Sequence, residues 1–194
     1  VQHAGLITCA PVSNCHWGQL FSAEGAPPRG PNDANSVVLF RFATPEYFPA
    51  MGIRLKSGRF LTALDRAPAD QPGVVVVNET FARTFWPDGR NPVGSRIKIG
   101  GLESKNPWLT VVGYVEDVKH YGLERDMRPG VYIPFASRPQ PSMAVALRTT
   151  GEPESLAGPA RAIVQEFDPE LPIFGIRTME ERLAGSMTLR AGDS

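Results

Sequence analysis

Apolar residues occur along this chain in short runs separated by turn-forming residues, a pattern typical of β-strands. Val37–Phe42 is rich in β-branched and aromatic residues, and Val74–Val77 is a continuous apolar run that predicts a buried strand. The predicted strands are Val1–Ala10, Gln19–Ala23, Val37–Phe42, Val74–Val77, Arg96–Ile99, Leu109–Val118, Val131–Phe135, Met143–Thr149 and Ile173–Arg177. Residues 11–36 are otherwise rich in Gly, Pro, Asn and Ser and predict a loop.

The first predicted helix follows the Val37–Phe42 strand. Thr44 is expected to be its N-cap, and Pro45 is expected at its first helical position. Gly52 is the expected residue just beyond its C-terminus. Because Pro49 lacks a backbone donor, we expect this helix to be short or irregular.

Two further helices are predicted from capping and apolar spacing. Asn78 is the expected N-cap of the second, and Phe81 and Phe85 lie four residues apart on one face that should point to the core. The third lies within residues 154–167, with its first turn near Pro159. Its apolar stripe consists of Leu156, Ala160, Ile163, Val164 and Phe167. Strand, helix and strand follow one another over residues 143–177, so the order predicts an α+β fold with a mixed sheet.

Charge and hydropathy exclude several classes of function. Lys plus Arg and Asp plus Glu number 20 each, so the chain lacks the basic excess of proteins held on nucleic acid by their charge. No apolar run approaches the roughly 20 residues of a membrane helix. The chain begins at Val1 without a signal-peptide pattern, and we expect it to be a piece of a longer protein.

No motif predicts a cofactor or a metal. Neither the phosphate-binding loop of nucleotide-binding proteins nor the glycine fingerprint of dinucleotide-binding proteins is present, so we expect no bound nucleotide. Cys9 and Cys15 are either bonded to each other or both free. Together with His3 and His16 they supply soft ligands, but their spacing does not match known zinc sites, and we expect no metal.

One group of residues could belong to an enzyme. Glu116, Asp117 and His120 follow a predicted strand closely and could supply acid–base catalysis. Polar residues at this position more commonly begin and brace a loop, and we favour that interpretation. Asn78-Glu79-Thr80 matches a glycosylation acceptor, but Asn78 is where the helix needs its cap.

Several segments in order resemble the MacB-like periplasmic core domain of FtsX-type ABC transporter permeases, most of all the large acidobacterial-type permeases. The resemblance covers about residues 37–187. It is carried by residues 44–53, 58–60, 75–83, 85–87, 91–97, 111–118, 129–134, 168–172 and 178–181, including Asn91-Pro92-Val93-Gly94 and Pro129-Gly130-Val131-Tyr132.

This resemblance implies a two-lobed periplasmic domain of an inner-membrane protein. Residues 1–52 and 136–194 would form a β-α-β porter-like lobe, and residues 53–135 a smaller inserted α/β lobe. The implied function is noncatalytic: the domain would couple ATP-driven motion to the handling of substrate or partners outside the inner membrane. Implied partners are the membrane helices of the same permease, a separate ABC ATPase, and a periplasmic adaptor or a second permease protomer. The alternatives are a free-standing periplasmic ligand-binding module and an enzyme that uses Glu116, Asp117 and His120.

The last predicted helix is a candidate for the coupling element. Thr178 and Glu181 have the spacing of a capping box, which would fix the start of the helix. Met179, Leu183 and Met187 recur every four residues and form one apolar stripe. Besides packing on the domain, this helix is expected to continue toward the second membrane helix and to carry motion between compartments.

Overall fold

A computed structural model describes residues 1–8, 18–27, 37–118 and 128–182. Within them it contains a mixed sheet and a few short helices. The strands are β1 His3–Ile7, β2 Gly18–Ala23, β3 Val37–Ala43, β4 Leu55–Gly58, β5 Gly73–Asn78, β6 Arg96–Ile99, β7 Leu109–Val115, β8 Gly130–Pro134 and β9 Ala144–Arg148. The helices are α1 Tyr47–Met51, α2 Glu79–Phe85 and α3 Ala157–Phe167, the last preceded by a 3₁₀ turn, Pro153–Leu156.

The sheet is mixed, as the order of elements predicts. Strand β3 pairs in parallel with β8, and β5 pairs in parallel with β7. The other pairings are antiparallel, and the order along the sheet is β2-β6-β7-β5-β8-β3-β1-β9, with β4 also on β7. The expectation of a mixed sheet accompanied by helices is therefore confirmed.

The pairings close part of this sheet into a ring. Strand β2 pairs with β6 through Phe21, Ser22 and Ala23, and with β3 through residues 18–20. Because β3, β8, β5, β7 and β6 are joined in succession, these two pairings of β2 complete a ring of six strands. Closure of this kind removes exposed strand edges.

Two apolar clusters form the core. The first takes side chains from all six ring strands and from α2, among them Phe21, Val38, Val75, Ile97, Val111, Val131 and Phe81. The second contains Tyr47 and Phe48 of α1 together with Ile7, Val76 and Tyr132. Strand β5 contributes Val75 to one cluster and Val76 to the other, so it is buried on both faces. This explains why its sequence is continuously apolar instead of alternating.

Helix α2 begins as its sequence predicts. Asn78 is its N-cap, and the Oδ1 atom accepts a hydrogen bond from the Phe81 amide at 2.8 Å. The Phe81 and Phe85 side chains are buried, and their rings stack with centroids 4.3 Å apart. The prediction that this face points to the core is confirmed. Since the Asn78 amide is buried and hydrogen-bonded, the folded domain does not present it for glycosylation.

Helix α1 begins later than predicted. Its N-cap is Glu46, so the assignment of Thr44 as N-cap was wrong. The physical reason is that Thr44 Oγ1 accepts a hydrogen bond at 3.0 Å from the Leu6 amide of β1 and is not used by the helix. The helix has only five residues and ends at Gly52 with φ 66°, as Pro49 and Gly52 predict.

The end of the chain departs most from the predictions. Residues 173–177 form no strand, so the predicted strand Ile173–Arg177, and with it the second strand of the 143–177 unit, was wrong. Gly175 has a φ of 68°, which interrupts an extended backbone. Helix α3 is present, but none of its described side chains is buried, and Ile163 is 64% exposed. Its apolar stripe is therefore not part of either core cluster.

The division into two lobes stays a prediction. One continuous sheet runs through both proposed segments, because β3 of the first pairs with β8 of the second.

Candidate functional site

A cleft of about 520 Å³ opens beside helix α2, where the helix approaches strands β4 and β7. This volume lies within the range of small-molecule sites in proteins. The lining residues are Lys56, Ser57, Ala82, Arg83, Trp86, Pro87, Gly89, Arg90, Asn91 and Tyr114. Three of them are cationic and none is acidic, so the charge of the lining is uniformly positive.

Two of the cations lie against aromatic rings. The Lys56 ammonium is 5.6 Å from the centroid of the Tyr114 ring and is ion-paired with Glu79. The hydrogen bond to Glu79 raises the pKa of Lys56 above its ordinary value. The Arg90 guanidinium lies 5.4 Å from the centroid of the Trp86 ring, and its Nη2 donates to the Glu24 carbonyl at 3.3 Å. Cation–π contact and these hydrogen bonds hold both side chains at the cleft wall.

Asp117 binds both Arg83, the third cation of the cleft, and the first turn of α2. Its carboxylate accepts hydrogen bonds from the Thr80 amide at 3.0 Å, from the Thr80 hydroxyl at 2.8 Å and from Arg83 Nη2 at 3.3 Å. The Asp117 amide in turn donates to Glu79 Oε2 at 3.2 Å. The segment that leaves β7 is thereby tied to the first turn of the helix.

The enzyme hypothesis gains no support from these contacts. Glu116 forms a two-point ion pair with Arg54, at 3.0 Å and 2.8 Å, and Asp117 is engaged as described. Both carboxylates are thus engaged in contacts with neighbouring side chains, and their bracing role stays a prediction. His120 lies outside the described residues.

The capping box at the last helix has the predicted geometry. The Thr178 amide donates to Glu181 Oε2 at 2.8 Å, and the Glu181 amide donates to Thr178 Oγ1 at 3.1 Å. A helical turn follows at residues 179–182, in which the Met179 side chain is half-buried. Leu183 and Met187, the other members of the apolar stripe, lie outside the described residues.

The predictions for the two cysteines remain open. Cys9 and Cys15 lie outside the described residues, as does His16. Across residues 1–8, 18–27, 37–118 and 128–182, no three His, Cys, Asp or Glu side chains are grouped to hold a metal ion. The absence of a metal and the state of the two thiols stay predictions.

A family model, the MacB-like periplasmic core domain, matches residues 17–163 of the chain, well over half of its length. The chain belongs to this family. The resemblance noted from the sequence motifs is thereby confirmed. No curated protein matches the chain in sequence.

Solved structures share the fold of this MacB-like domain. The periplasmic region of MacB from Actinobacillus actinomycetemcomitans aligns with a TM-score of 0.55 at 14% identity, covering 100% of this chain and 94% of that one. A domain of a protein named as a permease, from Porphyromonas gingivalis, aligns with a TM-score of 0.52 at 17% identity, covering 86% of this chain and 64% of that one. At these identities the comparison concerns the fold alone.

Membership settles the localisation and the broad class of the protein. The MacB-like domain is the periplasmic part of an inner-membrane ABC transporter permease, and such permeases work with an ATPase. The family is a transporter domain and not a known class of enzyme. In the part of the chain that the structure describes, no helix is long and apolar enough to cross a membrane.

Sequence reasoning missed the cleft. Its three cations come from β4, from α2 and from the turn after α2, and no single segment has a basic pattern. One local sequence feature could have indicated the cleft: Trp86 and Arg90 lie four residues apart around the Pro87-Asp88-Gly89 turn that ends the helix.

Proposed function

We propose that this MacB-like domain is a noncatalytic coupling element of its permease. Motion driven by a separate ABC ATPase would pass through the membrane helices to the periplasmic domain, where it would act on substrate or on a partner. A periplasmic adaptor and a second permease protomer are the partners that we consider. We also propose that the domain has two lobes: a porter-like lobe formed by residues 1–52 and 136–194, and an inserted lobe formed by residues 53–135.

The observation that carries the proposal is the reciprocal capping box of Thr178 and Glu181. Its two hydrogen bonds satisfy amide groups that have no partner within the helix, so they favour a firmly defined first turn. The Arg182 amide then donates to the Thr178 carbonyl at 3.2 Å, which is a backbone hydrogen bond of helical spacing. A connector that transmits displacement needs such a defined start. The stripe of Met179, Leu183 and Met187 would supply a continuous docking face.

The test is an insertion after Met187 in the full permease. A flexible Gly-Ser segment should leave the domain folded but lower the transport obtained per ATP hydrolysed, because a flexible joint absorbs displacement. The matched control is an insert of equal length made of Ala, Glu and Lys, which favours helix and should preserve more of the coupling. Transport that stays fully coupled with the Gly-Ser insert would show that this helix has no mechanical role.

A second pair of variants examines the cap itself. Thr178→Ala removes the acceptor and should cost about 1 kcal/mol of local stability, whereas Thr178→Ser keeps a hydroxyl and should behave like the unaltered chain. Hydrogen exchange of the Glu181 amide measures the difference. Equal protection in both variants would mean that the capping box does not define this start.

A further inference from the structure

We propose that the cleft beside α2 binds a small organic anion, one that combines a carboxylate or similar group with an apolar ring. This site is separate from the coupling role proposed above, and it rests on the arrangement of charges and on the mixed lining of the cleft.

The charges beside the cleft are layered. The Lys56 and Arg83 side chains are 40% and 64% exposed, whereas their partners Glu79 and Asp117 are 16% and 5% exposed. The carboxylates therefore lie behind the cations, and the surface that meets solvent is positive although the pairs are neutral. Because Glu79 and Asp117 fix the cations in place, little side-chain entropy remains to be lost when an anion binds.

Arg90 is the cation best placed to receive the anion. Asp88 is its carboxylate neighbour, but Arg90 Nε is 3.9 Å from Asp88 Oδ1, and the Asp88 side chain is 65% exposed. The hydrogen bond of Arg90 goes to the neutral Glu24 carbonyl, and its ion pair with Asp88 is long and exposed, so an incoming anion competes with a weak partner. Since the guanidinium lies over Trp86, its orientation is set before any ligand arrives. A guanidinium with a fixed orientation suits two-point contact with a carboxylate.

The remaining lining indicates that the ligand is organic. Pro87 presents exposed apolar surface and the half-buried Tyr114 adds an aromatic ring, whereas the buried Ala82 contributes little. The Asn91 amide is held by donation from its Nδ2 to Ser57 Oγ at 2.8 Å, so this wall is ordered. Apolar walls with a few placed polar groups are typical of small-molecule sites, and they offer an inorganic ion no advantage.

Calorimetric titration of the 194-residue chain tests the proposal with three probes. 2-Naphthoate should bind saturably with one site. The neutral 2-naphthamide, which has the same ring, and inorganic phosphate, which has charge without a ring, should each bind at least about tenfold more weakly. If naphthoate does not bind, or if the amide binds equally well, the proposed site is wrong.

Three variants locate the site: one should weaken naphthoate binding, one should tighten it, and one is a control that should leave it unchanged. Arg90→Gln should weaken naphthoate binding about tenfold or more, because a hydrogen-bonded charge is removed. Asp88→Asn removes a competing carboxylate and should tighten binding by a factor of about two or more. Arg138→Gln changes an exposed cation that does not line the cleft and should have no effect.

Unchanged thermal melting of each variant shows that the fold is retained. A salt titration of the unaltered chain gives an independent measurement, since naphthoate affinity should fall as ionic strength rises. Binding that is unaffected by both Arg90→Gln and salt would overturn the assignment.

Discussion

Asn78 links three segments through one side chain, and its replacement by alanine offers a sharp test of the structure. Its Oδ1 accepts from the Phe81 amide at 2.8 Å and from the Gly130 amide at 2.9 Å, while its Nδ2 donates to the Arg128 carbonyl at 3.1 Å. Gly130 approaches so closely that an added Cβ would lie 2.9 Å from Asn78 Nδ2. The side chain therefore joins the start of α2 to the start of β8.

The cost of Asn78→Ala follows from what each partner loses. Loss of the N-cap costs about 1 kcal/mol. The Gly130 amide is buried and would be left without its acceptor, which costs about 1–3 kcal/mol. The Arg128 carbonyl belongs to an exposed residue and can turn to water, so it adds little. We therefore expect a total loss of about 2–4 kcal/mol.

Urea denaturation measures this loss as a change in the free energy of unfolding. The matched control is Asn106→Ala, which removes an exposed amide that donates to the Ile99 carbonyl at 2.9 Å and should cost less than about 1 kcal/mol. If the two variants lose the same stability, Asn78 does not connect α2 and β8 as described.

Three further predictions concern packing, a buried hydroxyl and pH. Phe81→Ala should cost about 3–5 kcal/mol in urea denaturation because the side chain is fully buried, whereas Ile163→Ala on exposed α3 should cost almost nothing; similar losses would contradict the assigned core. No described residue hydrogen-bonds the buried Tyr47 hydroxyl, and burial raises the pKa of this group well above its ordinary value. Tyr47→Phe should therefore leave the free energy of unfolding unchanged or increase it, and a loss above about 1 kcal/mol would reveal a partner. The hydrogen bond from Arg59 holds the pKa of Asp65 below its ordinary 3.8, so this ion pair stabilises the fold above that pH and the stabilisation is lost as pH falls through the lowered value. The difference in unfolding free energy between the unaltered chain and Arg59→Gln should therefore shrink on acidification, and a constant difference would refute the linkage.

The parts of the fold that sequence predicted well are those set by local interactions. Val74–Val77 combines β-branched residues in an unbroken run, and the capping residue Asn78 follows it directly. Strand β5, the N-cap and the buried face of α2 all follow from a dozen consecutive residues. The capping box of Thr178 and Glu181 was predictable for the same reason, because both partners lie within one turn.

Two of the wrong predictions involve partners that are distant in sequence. Thr44 has the right residue type for an N-cap, but its hydroxyl oxygen accepts a hydrogen bond from the backbone amide of Leu6, far earlier in the chain. The Leu109–Val118 run was predicted as one strand, yet β7 ends at Val115, and Asp117 turns to hold α2. Closure of the ring depends on β2 pairing with two strands, which no local pattern reveals.

Helix α2 contributes to both the core and the cleft, so the two proposals differ in their expected effect on the stability of the whole domain. Phe81 and Phe85 fill the ring, while Ala82 and Arg83 on the same helix line the cleft. A ligand that binds the folded cleft must therefore stabilise the whole domain, by about 2.7 kcal/mol at one hundred times its dissociation constant. The turn at Thr178 follows α3, which has no buried described side chain, so a change there should leave the global unfolding midpoint nearly unchanged. Naphthoate should thus raise the unfolding midpoint equally in the unaltered chain and in Thr178→Ala. If Thr178→Ala abolished that rise, the cleft and the connector would be one coupled unit and not two independent sites.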